Sequence, residues 1–144
     1  MKTDNACIIR DAGTRLPPLD RQQLRTALAV MNQKLNPNGS LPELRLSGDA
    51  TVEQYNREFL GGTGPTNILS FPSDDPDLPG LLLLSCPACQ REAMLYGQNT
   101  EEYCLRLLAH GLAHLAGMDH GPEMERASAQ ALATALHALE CQNA

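Results

Sequence analysis

Three of the four histidines in this chain fall within one short run, His110-Gly-Leu-Ala-His114-Leu-Ala-Gly-Met-Asp-His120. Neutral imidazole is a common ligand for borderline divalent ions near neutral pH. His110 and His114 stand four apart, about one helical turn of 3.6 residues, so on a helix their rings leave the same face at clamping distance. Gly117 lets the chain leave that helix in a left-handed or otherwise unusual conformation. The turn can then bring His120 back toward the same point. A lone pair of histidines at this spacing is commonly a hydrated face or a core contact. The third histidine, placed just after a helix-ending glycine, is what distinguishes this run. Three imidazoles suit zinc, with nickel as an alternative, and three protein ligands rather than four leave a coordination position open for chemistry. The expectation is one metal ion held by His110, His114 and His120.

The spacing resembles the long zinc signature of metzincin proteases, in which a glutamate directly follows the first histidine as general base. Gly111 occupies that place here. Glycine cannot accept a proton, so proteolysis by that route is disfavoured.

The elements that must position the histidines follow from periodicity. Thr100, Glu101 and Glu102 open the longest helical stretch, which Gly117 closes. A last helix starts near Pro122 and carries Met124, Ala127, Ala131, Leu132, Ala135 and Leu139. Upstream, Cys7 to Arg10 reads as a short first strand. Asp20 precedes a helical spacing of Leu24, Ala27, Leu28, Met31 and Leu35, ended by Asn36-Pro37-Asn38-Gly39. Leu41 to Ser47 alternates as a strand, and Thr51 with Gln54 makes a capping-box pattern for a short helix. Gly61-Gly62-Thr63-Gly64-Pro65 reads as a mobile connector. Two further strands are expected at Ile68 to Phe71 and Leu81 to Ser85, the second a continuous leucine run of the kind covered on both faces. Pro87 suits the first turn of a helix running to about Tyr96.

With 144 residues the chain is long enough for one domain, residues 1–144, with a core of its own. Two Phe, three Tyr and no Trp mean that Leu and Ala must build most of that core. A formal charge of -6 argues against broad electrostatic capture of nucleic acid, although a local basic groove is compatible with it. No segment approaches the roughly 18 apolar residues of a membrane span, and the N-terminus lacks an apolar signal region. Five cysteines without an export signal read as reduced thiols of a cytoplasmic protein.

The histidine run resembles the C-terminal motif of the YbeY family, bacterial rRNA maturation factors with metal-dependent, single-strand endoribonuclease activity. A second match, Pro65-Thr66-Asn67-Ile68-Leu69-Ser70-Phe71-Pro72, resembles that family's strand motif and lies in the right order upstream. The resemblance spans roughly residues 41 to 139. It implies an α+β fold in which a small mixed sheet packs against helices, with the metal site on the long helix. It implies zinc held by His110, His114 and His120. It also implies a role in maturing the 3′ end of small-subunit rRNA and in ribosome quality control. The partners would be single-stranded RNA and the small ribosomal subunit, with neither DNA nor a membrane.

Two positions depart from the family pattern. An arginine usually stands five residues before the proline of the Pro-Thr pair, and Leu60 occupies that place; a guanidinium there could bind phosphate bidentately, which leucine cannot. The family also tends to have an aspartate after the glycine that opens the strand before the metal helix, and here Gly80 is followed by Leu81. Arg57, three residues before Leu60, is a candidate substitute. Arg106, one turn before His110, is a second candidate for the missing charge, unless it is a solvated residue paired with Glu102. Asp119, next to the third histidine, could orient an imidazole or accept a proton. Thr66, Asn67 and Ser70 could hydrogen-bond RNA, though turn and capping duties explain them equally. Tyr55, Phe59, Phe71 and Tyr96 are the rings available for stacking, and their spacing favours core packing.

Two other classes of function compete. Leu60 and Leu81 favour a metal-binding scaffold of the same fold that has lost nuclease activity. Cys86-Pro87-Ala88-Cys89, following an apolar strand and opening a helix, is the context in which a thiol pKa falls, as in a redox protein.

Overall fold

The computed structural model describes residues 6–14, 19–62, 66–75 and 77–143. Thr63, Gly64 and Pro65, with the start of the Pro-Thr motif and most of the expected connector, lie outside them. In chain order the elements are β1 (Ile8–Arg10), α1 (Arg21–Leu35), β2 (Glu43–Ser47), α2 (Asp49–Leu60), β3 (Ile68–Phe71), β4 (Leu81–Ser85), α3 (Cys86–Leu95), α4 (Thr100–Leu115) and α5 (Pro122–Asn143).

The leucine run of β4 determines the layering. Leu82, Leu83 and Leu84 are all fully buried, but they serve different faces, as successive residues of a strand must. Leu82 and Leu84 join the main core with Ile68 of β3, Leu44 and Leu46 of β2, and the apolar stripes of α1, α4 and α5. Leu83 turns the other way and packs with Leu69 and Val52, covered by Tyr55 and Phe71, beneath α2. The sheet is therefore sandwiched between α2 on one side and α1, α4 and α5 on the other. Strand order is β1-β2-β4-β3. β1, β2 and β4 run parallel, and β3 is an antiparallel edge registered Ile68 with Leu84 and Phe71 with Leu81. This is the mixed sheet backed by helices that the resemblance implied.

Helix boundaries follow local chemistry in most places. Asp20 caps α1 in a reciprocal box with Gln23. Ser85 caps α3 with Pro87 in the first turn, and Asn99 caps α4 ahead of Glu101 and Glu102. The expected capping box at Thr51 is not formed. α2 begins at Asp49, with Gly48 as N-cap and no side-chain cap bond, so Thr51 sits inside the first turn. β2 leads straight into this helix, and the Asp49 carboxylate at its start is held instead by tertiary partners, accepting from Ser85 Oγ at 2.7 Å and from Arg91 Nη1 at 2.7 Å. The longest helix is α5, with 22 residues against 16 for α4, because neither Gly nor Pro interrupts the chain after Pro122. Among the described residues, no helix is long and apolar enough to cross a membrane.

Candidate metal centre

The histidine site is built by the end of α4 and the turn behind it. At Gly117, where φ is +88°, the chain reverses: Met118 N donates to Ala113 O and Gly117 N donates to His114 O, both at 3.0 Å. This 6→1 and 5→2 pair closes the helix as a Schellman motif, which glycine alone enters without strain. The reversal folds His120 back over the exposed face of the last turn of α4.

The three rings converge. His110 and His114 have ring centroids 4.7 Å apart, His114 and His120 4.7 Å, and His110 and His120 5.2 Å. One ring nitrogen from each histidine lies within 4.8 Å of the other two. The Nε2 atoms of His110 and His114 are 3.2 Å apart. Two nitrogens each about 2.05 Å from a tetrahedral zinc would be about 3.3 Å apart. The helical pair thus has the spacing of two ligands of one ion, and His120, on the turn, stands slightly wider. Burial pushes the His110 pKa down, and the neighbouring His114 and His120 push it the same way. Both effects favour the neutral imidazole that a metal requires.

What fixes α4 in place is its contact with the sheet. Gly111 faces β3 and β4 so closely that a Cβ there would lie 2.9 Å from Leu82 Cδ2, 3.0 Å from Ile68 Cδ1 and 3.2 Å from Ser70 Oγ. Ser70 donates a 2.9 Å hydrogen bond to the Gly111 carbonyl. The residue after His110 is therefore the point where the helix presses on the sheet, which explains why no glutamate stands there. Its side chain would point into the leucines rather than at the metal. Ser70 is committed to this contact. Asn67 is committed as well, donating to Glu92 Oε1 at 2.9 Å, an oxygen that also accepts from Tyr103 at 2.6 Å and ties β3 to α3 and α4.

The remaining candidates are placed differently from one another. Arg106 lines a cavity of about 430 Å3 between α4 and α5 together with His110 and His120. It also makes a long 3.9 Å pair with Glu102, with its side chain about half exposed. Arg57 lies in the last turn of α2, exposed, 3.7 Å from Glu53, and does not line that cavity. Asp119 is exposed and makes no hydrogen bond or ion pair with a described residue, so the orienting contact to an imidazole is not formed. Leu60 is likewise exposed at the end of α2. Of the rings, Tyr55, Phe59 and Phe71 cluster with one another beside α2, 5.4 to 6.2 Å apart.

Sequence periodicity passed over the wall that α5 contributes. Met124, Ser128 and Leu132 line the cavity beside the histidines. They recur every four residues, and a serine on an otherwise apolar stripe was the available signal.

The redox reading is not favoured. Cys86 and Cys89 are 3% and 1% exposed. Burial, reinforced by Cys89, pushes the Cys86 thiol up to about 12. A hydrogen bond with Cys104 holds the Cys89 thiol below its ordinary value against the opposing effect of burial, and the same bond, with complete burial, raises Cys104. A reactive thiol needs access and a lowered pKa; Cys86 has neither, and Cys89 lacks the access.

Fold and site together define a class: a small α+β protein whose helix and following turn gather three imidazoles able to hold one metal ion. The family profile described as YbeY, Endoribonuclease YbeY, matches residues 18–138. Two relatives bearing the name Endoribonuclease YbeY are similar to it. That of Oleidesulfovibrio alaskensis is 45% identical, covering 75% of this chain and 78% of its own. That of Nitratidesulfovibrio vulgaris is 42% identical, covering 75% and 80%. The solution structure of TM1509 from Thermotoga maritima matches in fold with a TM-score of 0.64 at 18% identity, over 96% of this chain and 93% of that one. The chain belongs to the YbeY family.

Proposed function

We propose that this protein is a zinc-dependent endoribonuclease that cleaves single-stranded RNA in the cytoplasm. Its role would be maturation of the small-subunit rRNA 3′ end and ribosome quality control. The observation that carries this reading is the convergence of His110, His114 and His120, with the helical pair at ligand spacing, in a chain similar to relatives named as endoribonucleases. The donor set fits zinc: three nitrogen ligands, no carboxylate among them, and an open side for substrate. Nickel would satisfy the same set. When bound, the ion supplies Lewis-acid polarisation of a phosphate oxygen and activation of water.

The chain's own residues do the rest. His110 and His114, fixed by α4 on the sheet, present their nitrogens without reorganisation. Arg106 brings a guanidinium to the same cavity, where it supplies positive charge to a phosphate in place of the arginine replaced by Leu60. Arg57, exposed on α2, gathers the RNA backbone. Asp119, exposed and uncommitted, accepts a proton or orients His120 once the site is filled. The described elements act as one unit, since α5 packs against both α1 and α4.

Incubation of the purified protein with labelled single-stranded and duplex RNA tests the reading, with cleavage expected of the single strand only. Leu60→Arg is expected to raise the rate. Cleavage that appears only in Leu60→Arg would establish instead that the native chain is an inactive scaffold.

A further inference from the structure

One carboxylate faces the metal cavity without a structural use. Gly121, Met124, Glu125, Ala129 and Leu132 line the space of about 430 Å3 between α4 and α5, together with Arg106, His110 and His120. Their spacing of three and four residues defines one face of α5, so the Glu125 side chain leaves the helix on the side of the histidines. Its backbone N–H donates to Gly121 O at 3.0 Å, which sets it one turn beyond the residue that follows His120. The carboxylate is exposed and makes no hydrogen bond or ion pair with a described residue. Arg106, the cation of the cavity, is paired with Glu102 on its own helix instead. Glu123 shares the first turn of α5, where negative charge suits the helix dipole, but it does not line the cavity. Helix-end electrostatics accounts for an acid in this turn, not for one turned toward the histidines. A carboxylate beside a phosphodiester also repels it, so RNA binding alone gives no reason for it.

We propose that Glu125 is the proton-transfer group of the ribonuclease reaction. The proposal rests on the ribonuclease reading above and adds the residue that handles the proton. Among the described residues Glu125 is the only carboxylate lining the cavity. Gly111 stands where the metzincin signature places its glutamate, and that position is pressed against the sheet, so a carboxylate must come from another element. Asp119 does not line this cavity, which leaves it the orienting role toward His120. In the step, the Glu125 carboxylate takes one proton of the attacking water as that oxygen bonds to phosphorus. The bond from phosphorus to the leaving ribose oxygen breaks, and the Glu125 carboxylic acid returns the proton to that oxygen. The carboxylate is thereby regenerated, while Arg106 offsets charge on the non-bridging phosphate oxygens.

The test compares wild type with Glu125→Gln, Glu125→Ala and Glu123→Gln on a fluorescein-labelled single-stranded oligoribonucleotide. Kd by anisotropy, kcat, KM, zinc content and thermal stability are measured for each. Glu125→Gln keeps the size of the side chain but cannot take up a proton. Its kcat is expected to fall about 100- to 10,000-fold. Zinc content and stability are expected to be kept, and Kd to equal or fall below the wild-type value, since a charge that repels RNA is gone. Formate added to Glu125→Ala is expected to restore part of the rate, a response that a lost structural contact would not give. Glu123→Gln removes the same charge from the same turn and is expected to cleave as wild type does. A wild-type kcat in Glu125→Gln would overturn the assignment and leave the ribonuclease reading standing. Loss of zinc along with the rate would overturn it as well, by making Glu125 a metal ligand. If wild type itself does not cleave the strand, the ribonuclease reading fails and the assignment fails with it.

Discussion

Gly111→Ala places a methyl group at the tightest contact in the site, and two opposed effects decide its outcome. An alanine in a helix interior is favoured over glycine by about 1 kcal/mol. Against this, the new Cβ would stand 2.9 Å from Leu82 Cδ2 and 3.0 Å from Ile68 Cδ1. Both partners are the ends of flexible side chains, but Leu82 is fully buried and Ile68 nearly so, leaving them little room to retreat. Overpacking of this kind costs about 1–3 kcal/mol. The net expectation is a destabilisation of about 1 kcal/mol, a fall in Tm of about 3–5 °C for a chain of this size. α4 must lift from β3, stretching the Ser70–Gly111 bond and shifting His110 and His114 together. The zinc-induced rise in Tm should therefore shrink as well. Thermal unfolding followed by circular dichroism, with and without zinc, reads both effects. A Gly111→Ala protein more stable than wild type, with an unchanged zinc response, would show that the helix does not bear on the sheet at this residue.

Two other consequences are open to direct measurement. His110 is held below its ordinary 6.5, so as pH falls through that value the unfolded chain takes up a proton that the folded chain refuses. Metal-free protein should lose stability as pH falls through about 6.5, and His110→Gln should flatten that slope; an identical slope in the variant would refute the assignment. Cys7 and Cys141 are exposed while Cys86, Cys89 and Cys104 are buried, so a thiol reagent should modify two cysteines quickly in the native protein and the other three only on unfolding. Fast reaction of Cys86 or Cys89 would reopen the redox reading.

The parts legible in the sequence were those written in short-range periodicity. The His110–His114 spacing, the break at Gly117 and the leucine run of β4 each needed only a few neighbouring residues. What stayed hidden was tertiary. The start of α2 was misplaced because the Asp49 carboxylate is satisfied by Ser85 and Arg91, 36 and 42 residues away. Ser70 offered the hydroxyl of a candidate RNA ligand, but its partner is the Gly111 carbonyl, 41 residues on. The Cys86-Pro87-Ala88-Cys89 pattern carries the look of a redox motif, and only the packing of α3 against α4 reveals that its thiols are sealed in. Ser128 was visible as one polar residue on an apolar stripe, yet nothing local indicated that the stripe faces the histidines.

Metal content of the purified protein, measured by elemental analysis beside RNA cleavage for wild type and His114→Ala, bears most directly on the central claim. The account predicts about one zinc per wild-type chain and cleavage of single-stranded RNA, with both lost in the variant. A wild-type chain that binds no transition metal would contradict it, as would a His114→Ala variant that keeps both its metal and its cleavage.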